Sequence, residues 1–153
     1  MTAFEQLVES VKEAEGFSER AYWDEKHFSI GYGTPAKNKA EVITKEEAEL
    51  RMLAILKPIW ETKLPELLGT SYVSEGRKIA LAHMMYQLGV EGARNFKEMC
   101  KWIERITPVE LDQWRWAEIA FHASDSLWRG QTPKRARWVC KMLYTGVFTP
   151  YRK

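Results

Sequence analysis

Apolar residues recur at helical spacing in several separate stretches of the chain. Phe4, Leu7, Val8 and Val11 follow a Thr2/Glu5 capping box, which predicts a first helix running to about Glu15 and stopping near Gly16. The period then changes. Tyr22, Trp23, Phe28, Ile30 and Tyr32 stand among Gly31, Gly33 and Pro35, a pattern that predicts a β-hairpin or a small three-stranded sheet. A second box, Thr44 with Glu47, reopens helix to about residue 62, with Pro58 placed to kink or break it. Beyond a joint at Pro65 and Gly69 the chain reads as helical to its end.

Within that helical part, Ile79 to Leu88 is apolar almost all round, interrupted by His83 and Gln87, as expected of a central buried helix. Phe96, Met99, Cys100 and Ile103 repeat at helical spacing, as do Ala136, Val139, Cys140 and Leu143. Thr107 with Glu110 forms a third box with Pro108 in its first turn, and Thr132-Pro133 reads as a side-chain cap followed by proline at the first turn of another helix. The expected fold class is α+β, mainly α, in one domain of 153 residues. A small lobe over about residues 12–45 carries the sheet, and a connecting helix leads to a larger all-helical lobe over about residues 65–153, joined by the N-terminal helix. A cleft between the lobes is the natural ligand site.

Composition refines this only at a few points. Hydrophobic residues at 45% and charged residues at 29% are ordinary for a globular protein. Seven tryptophans are many for this length; most belong in a core, and any surplus suits stacking against carbohydrate. No apolar run approaches the roughly 18 residues that span a bilayer, and the first residues carry neither the basic start nor the apolar stretch of a signal peptide. Cys100 and Cys140 do not make a disulfide framework and are expected to be reduced core residues of a protein made in a cytoplasm. Seven basic residues and no acid occupy the last 28 positions, so a net charge of +2 leaves −5 on residues 1–125. That basic end (Arg129, Lys134, Arg135, Arg137, Lys141, Arg152, Lys153) is either a solvated helix face or a surface for an anionic partner.

The candidate chemistry lies between Glu15 and Gly33. Two carboxylates in different surroundings are the minimum equipment for cutting a glycosidic bond. Glu15 falls at the negative end of the first helix, which disfavours a carboxylate and suits a proton donor. Asp24 precedes a polar turn and is expected to be solvated and ionised, with Ser29 close by. Each alone reads equally as an ordinary surface or turn residue. His27, His83 and His122 lack metal-site spacing, and no HExxH, CxxC, Walker loop or G-x-S-x-G elbow occurs, so neither metal nor cofactor is expected. His83 is expected to be a hydrogen-bonded core residue.

Glu15-Gly-Phe17, Asp24, Ser29-Ile-Gly-Tyr-Gly33, Ile43-Thr-Lys-Glu-Glu-Ala48, Met85-Tyr-Gln-Leu-Gly89, Gln131-Thr-Pro-Lys-Arg135 and Thr145-Gly146 occur in that order. This series resembles the T-even phage lysozymes, the endolysins of glycoside hydrolase family 24, over nearly the whole chain, most weakly around residues 50–75. The resemblance implies a lysozyme-like fold and hydrolysis of the β-1,4 bond between N-acetylmuramic acid and N-acetylglucosamine in peptidoglycan. It makes Glu15 the general acid, Asp24 the residue that positions or activates water, and Ser29 the hydroxyl that helps hold that water. Arg135 matches an arginine that pairs with the acid, and Gly33, Gln87 and Trp128 match positions lining the substrate cleft. Two departures stand out: four residues rather than five separate Asp24 from the hydroxyl, and the hydroxyl is serine rather than threonine. Thr34 stands where some relatives carry histidine.

The expected mechanism is inverting, which calls for carboxyl groups about 6.5–9.5 Å apart. A lytic transglycosylase is the alternative enzyme, and a catalytically silent wall-binding or nucleic-acid-binding relative is the alternative from another class. The expected partner is bacterial peptidoglycan, with an anionic cell-envelope surface as a further partner for the basic C-terminal helix. Neither nucleic acid nor stable membrane insertion is expected, and the chain is expected to act as a monomer. Without a signal peptide, such an enzyme would accumulate in a host cytoplasm and reach the wall with the help of a holin.

Overall fold

In a computed structural model, residues 1–69, 72–104, 113–124, 128, 130 and 132–153 are described. Helix α1 spans Ala3–Glu15. The capping box forms as predicted: Glu5 N–H donates to Thr2 Oγ1 at 3.1 Å and Thr2 N–H to Glu5 Oε2 at 2.7 Å. Leu7, Val8, Ser10 and Val11 turn inward, and Gly16, at φ 70°, stops the helix with its N–H on Lys12 O.

Strands β1 (Ser18–Trp23), β2 (Phe28–Gly31) and β3 (Thr34–Pro35) form an antiparallel sheet in sequence order. Tyr22 lies opposite Ser29 and Trp23 opposite Phe28, with an irregularity between Ser18 and Tyr22. Gly31, at φ 64°, lets the sheet meet the next helix, because a Cβ there would stand 2.9 Å from Ala48 Cβ.

Helix α2 (Lys45–Pro58) opens at Thr44, whose hydroxyl accepts from Glu47 N–H at 3.2 Å. Pro58 does not end the helical rod. A π-helical turn over Ile59–Lys63 follows, with Leu64 N–H reaching back to Ile59 O, and α3 (Leu64–Leu68) continues to Gly69. The joint expected at Pro65 is therefore absent: this proline sits in the first turn of α3, where its missing N–H costs little. The wider turn lies between two prolines that cannot donate to a preceding carbonyl.

Helix α4 (Glu75–Leu88) is the central one, with every residue from Ile79 to Met85 buried. Helices α5 (Val90–Arg94) and α8 (Pro133–Thr145) pack against it, and α7 (Gln113–Ser124) packs on α8 and on α6 (Lys97–Glu104). The buried apolar side chains form one cluster that includes Leu7, Ile30, Met52, Ile79, Met99, Ile119 and Leu143. The arrangement is the expected α+β, mainly helical, lysozyme-like fold.

Three expectations need correction or restriction. The chain is not helical to its end: Gly146, in the left-handed region, closes α8 with its N–H on Met142 O, and residues 146–153 are irregular. This tail folds back, with Trp138 Nε1 donating to Thr149 O at 2.8 Å and the rings of Trp138 and Tyr151 5.1 Å apart. Cys100 and Cys140 are not joined in a disulfide, but they are only half-buried, at the margin of the core. The Thr107/Glu110 box with Pro108, together with Arg129 and Gln131, lies outside the described residues.

Candidate active site

A cleft of about 1150 Å³ runs between the sheet and the ends of α4 and α8. Glu15, Asp24, Ser29, Gly33, Gln87, Trp128 and Arg135, all singled out from the sequence, line it together. The volume exceeds the roughly 300–1,000 Å³ of small-molecule pockets and suits an extended ligand.

Glu15, the last residue of α1, is held from two sides. Arg135 Nη1, in the first turn of α8, donates to Glu15 Oε1 at 2.6 Å, an ion pair largely shielded from solvent. On the other side, a Cβ on Gly33 would come within 2.5 Å of Glu15 Oε2 and 2.9 Å of its Cδ. Gly33, at φ 78°, is therefore where the β2–β3 turn passes directly against the carboxyl. That turn is tied down by Tyr86, whose hydroxyl donates to Tyr32 O at 2.5 Å. Burial pushes the Tyr86 phenol well above its ordinary value, and the Glu15 charge adds to this, so it stays a donor.

Behind Arg135 lies a buried relay that fixes one histidine tautomer. Ser10 Oγ donates to Leu7 O at 2.8 Å, which uses its proton, so it accepts from His83 Nε2 at 2.8 Å. His83 Nδ1 is then bare and accepts from Arg135 Nη2 at 3.2 Å. Burial, and then the Arg135 charge, hold the His83 imidazole well below its ordinary value of 6.5, in agreement with a neutral ring. His83 is thus the hydrogen-bonded core residue expected, and it also supports the acid's partner. Arg135 Nε is buried without a partner among the described residues, so the two Nη contacts set the guanidinium's place.

Asp24 begins the β1–β2 turn. Its Oδ1 accepts the backbone N–H groups of Lys26 at 3.2 Å and His27 at 3.1 Å, with His27 Nδ1 at 3.3 Å. Its Oδ2 accepts from Ser29 Oγ at 2.5 Å, so the two side chains meet across the four-residue interval. Glu25 takes φ 81° to make this tight turn, an uncommon state for a residue with a Cβ. Burial works against the charged carboxylate, but the Ser29 hydrogen bond, the two N–H groups and His27 outweigh it and hold Asp24 below its ordinary value. That direction favours the ionised form expected from the sequence.

Gln87 and Trp128 occupy the opposite wall. Trp128 is 4% exposed, and its Nε1–H is spent on Gln87 Oε1 at 3.0 Å. Gln87 Nε2 donates to Thr132 Oγ1 at 3.1 Å, and that hydroxyl donates to Trp128 O at 3.1 Å. Thr132 therefore precedes α8 without a side-chain cap, contrary to the reading of Thr132-Pro133, because its hydroxyl serves this network. Trp128 orders Gln87 and presents no free N–H to the cleft.

Tyr22 was not singled out by sequence reasoning. It lines the cleft opposite Ser29, and burial followed by the charges of Glu15 and Asp24 raises its phenol above the ordinary value. Its position beside both carboxylates follows from cross-strand register. Tyr22 stands two residues short of Asp24 in the sequence, and that short interval was the available signal.

A family profile described as Phage lysozyme matches residues 12–137. Probable T4-type lysozyme 2 of Dictyostelium discoideum is 36% identical over 87 residues, 56% of this chain and 46% of that protein. Probable T4-type lysozyme 1 of the same organism is 34% identical over 76 residues, covering 50% and 40%. The pre-baseplate central spike protein Gp5 of Enterobacteria phage T4 is 25% identical over 183 aligned positions, covering 95% of this chain and 28% of the spike protein. In each case the match spans less than half of the curated relative's length.

Proposed function

The chain belongs to the phage lysozyme family, and from that premise we propose that it is a muramidase cleaving the β-1,4 bond between N-acetylmuramic acid and N-acetylglucosamine in peptidoglycan. The observation that carries this reading is one cleft holding two differently served carboxyls: Glu15 fixed by an arginine, Asp24 fixed by a hydroxyl and two amides.

In the proposed reaction Glu15 gives its proton to the leaving glycosidic oxygen as the C1–O bond breaks. Arg135 holds Oε1, which leaves Oε2, the oxygen beside Gly33, to carry that proton. Ser29 has already spent its own proton on Asp24, so towards a water its hydroxyl can only accept. A water bridging Ser29 and Asp24 therefore points its protons at them and its lone pair at the anomeric carbon. The new C1–O bond forms on the face opposite the leaving group, one water proton passes to Asp24, and configuration inverts.

Product analysis tests this directly. Digested peptidoglycan should carry reducing ends of inverted anomeric configuration by proton NMR. It should lack the 1,6-anhydro ends that a lytic transglycosylase leaves. Glu15→Gln should fold normally and lose activity; a variant that still cleared walls at the wild-type rate would remove Glu15 from the role of acid.

The proposal extends to action as a monomeric endolysin that a holin passes from a host cytoplasm to the wall. Co-expression with and without a holin gene, read as culture lysis, tests that step. It extends also to an anionic envelope surface as a partner for α8. Arg137 and Lys141 are exposed there, and among the described residues no carboxylate pairs with them. Lys134 lines the cleft instead.

A further inference from the structure

We propose that Trp23 is a stacking platform for an N-acetylhexosamine ring, forming a carbohydrate subsite at the mouth of the cleft on the Asp24 side. The inference rests on the reading of the cleft as a glycan site and adds a position to it.

Tryptophan is abundant in this chain, and the structure separates its copies by use. Trp116 and Trp128 are buried, and Trp60, Trp102 and Trp138 are packed half-buried against the core. Trp114 is 58% exposed but lies outside the cleft, with its ring against Trp102. Trp23 is 59% exposed and lines the cleft. A single exposed apolar residue is ordinary on a protein surface. This one directly precedes Asp24 in the chain.

Its setting also holds the ring in place. Trp23 is the last residue of β1 and pairs across the strands with Phe28, the two rings 5.3 Å apart and inclined at 66°. That contact restrains the indole and leaves most of it open. The turn that follows is pinned by Asp24 N–H on His27 O at 3.1 Å and by both amides on Asp24 Oδ1. A ligand stacking there would meet a preorganised surface, with little side-chain ordering left to do. The C–H face of a pyranose ring is flat and apolar, and covering an indole with it removes both surfaces from water. Within the cleft's lining Trp23 is the exposed indole, whereas Trp128 is committed to Gln87.

The test uses the full chain carrying Glu15→Gln, so that ligand is bound without turnover, and the probe is soluble uncross-linked peptidoglycan strands. Calorimetric titration should show Trp23→Ala raising Kd roughly tenfold, the scale on which loss of aromatic stacking weakens binding. Trp23→Tyr should recover most of the affinity. Strand binding should shift tryptophan emission, and Trp23→Phe should abolish most of that shift. With Glu15 restored, Trp23→Ala should raise KM far more than it lowers kcat. Equal Kd for Trp23→Ala and its parent would overturn the subsite while leaving the muramidase reading intact. A fall in kcat alone, not rescued by Trp23→Tyr, would show that Trp23 merely supports the Asp24 turn, and this too overturns it. If the unmodified protein neither binds nor cleaves the strands, the muramidase reading fails and the subsite with it.

Discussion

Replacing Gly33 by alanine tests the placement of the acid with a single added carbon. The new Cβ would stand 2.5 Å from Glu15 Oε2 and 2.9 Å from Glu15 Cδ, where an unstrained contact needs about 3.5 Å. Relief requires a shift of about 1 Å, and Arg135, at 2.6 Å from the other oxygen, resists it. A Cβ at φ 78° adds about 1–2 kcal/mol of backbone strain, which for a chain of this size lowers Tm by roughly 2–8 °C. A misplacement of about 1 Å at the reacting group costs on the order of 100-fold in rate. Gly31→Ala is the matched control: it also has positive φ, at 64°, and its Cβ meets Ala48 Cβ at 2.9 Å, not the acid. Thermal unfolding should show comparable destabilisation of the two variants. Clearance of purified walls, corrected for folded fraction, should fall about 100-fold for Gly33→Ala and only a few-fold for Gly31→Ala. Equal clearance by both would refute the claim that the bare Gly33 sets the place of Glu15.

Three further outcomes follow from the same geometry. Arg135→Lys keeps the charge but cannot serve Glu15 Oε1 and His83 Nδ1 together, so urea unfolding should show a loss of about 1–3 kcal/mol from the unpaired buried acceptor, and kcat should fall with it. The folded protein keeps His83 from binding a proton that the unfolded chain accepts near 6.5. Stability should therefore be insensitive to this group above that pH and decline below it by up to about 1.4 kcal/mol per pH unit; His83→Gln should flatten that part of the urea-midpoint profile. Reversing charge at Arg137 and Lys141, away from the cleft, should weaken sedimentation with whole walls as salt-sensitive binding does, while soluble wall fragments are cut at an unchanged rate.

The parts of the site that were legible in the sequence are those whose chemistry is local. Glu15 at a helix end, and Asp24 with Ser29 around a turn, lie close along the chain, so spacing and punctuation suffice to suggest them. Arg135 comes from 120 residues away, and only the resemblance to a family brought it to Glu15. The contact of Gly33 with the carboxyl, and the Ser10–His83 relay, depend on how the β2–β3 turn and α1 dock on α4, which no periodicity encodes. The same is true of the rod from Lys45 to Leu68. Pro58 reads as a kink or break and Pro65 as part of a joint, yet a wider turn between them carries the rod on, with Leu56, Ile59 and Leu64 buried in the core.

The C-terminal tail has a meaning beyond closing the chain. Trp138 lies between the tail and the acid's support, hydrogen-bonded to Thr149 on one side and edge-on to His83, 4.7 Å between ring centroids, on the other. Peeling the tail away would open a route for water towards the imidazole that steadies Arg135. Local opening of residues 146–153 should therefore disturb the setting of Glu15, some 130 residues earlier, before the rest of the fold gives way. Hydrogen exchange at the Trp138 indole and loss of activity should rise together under mild denaturant, ahead of global unfolding.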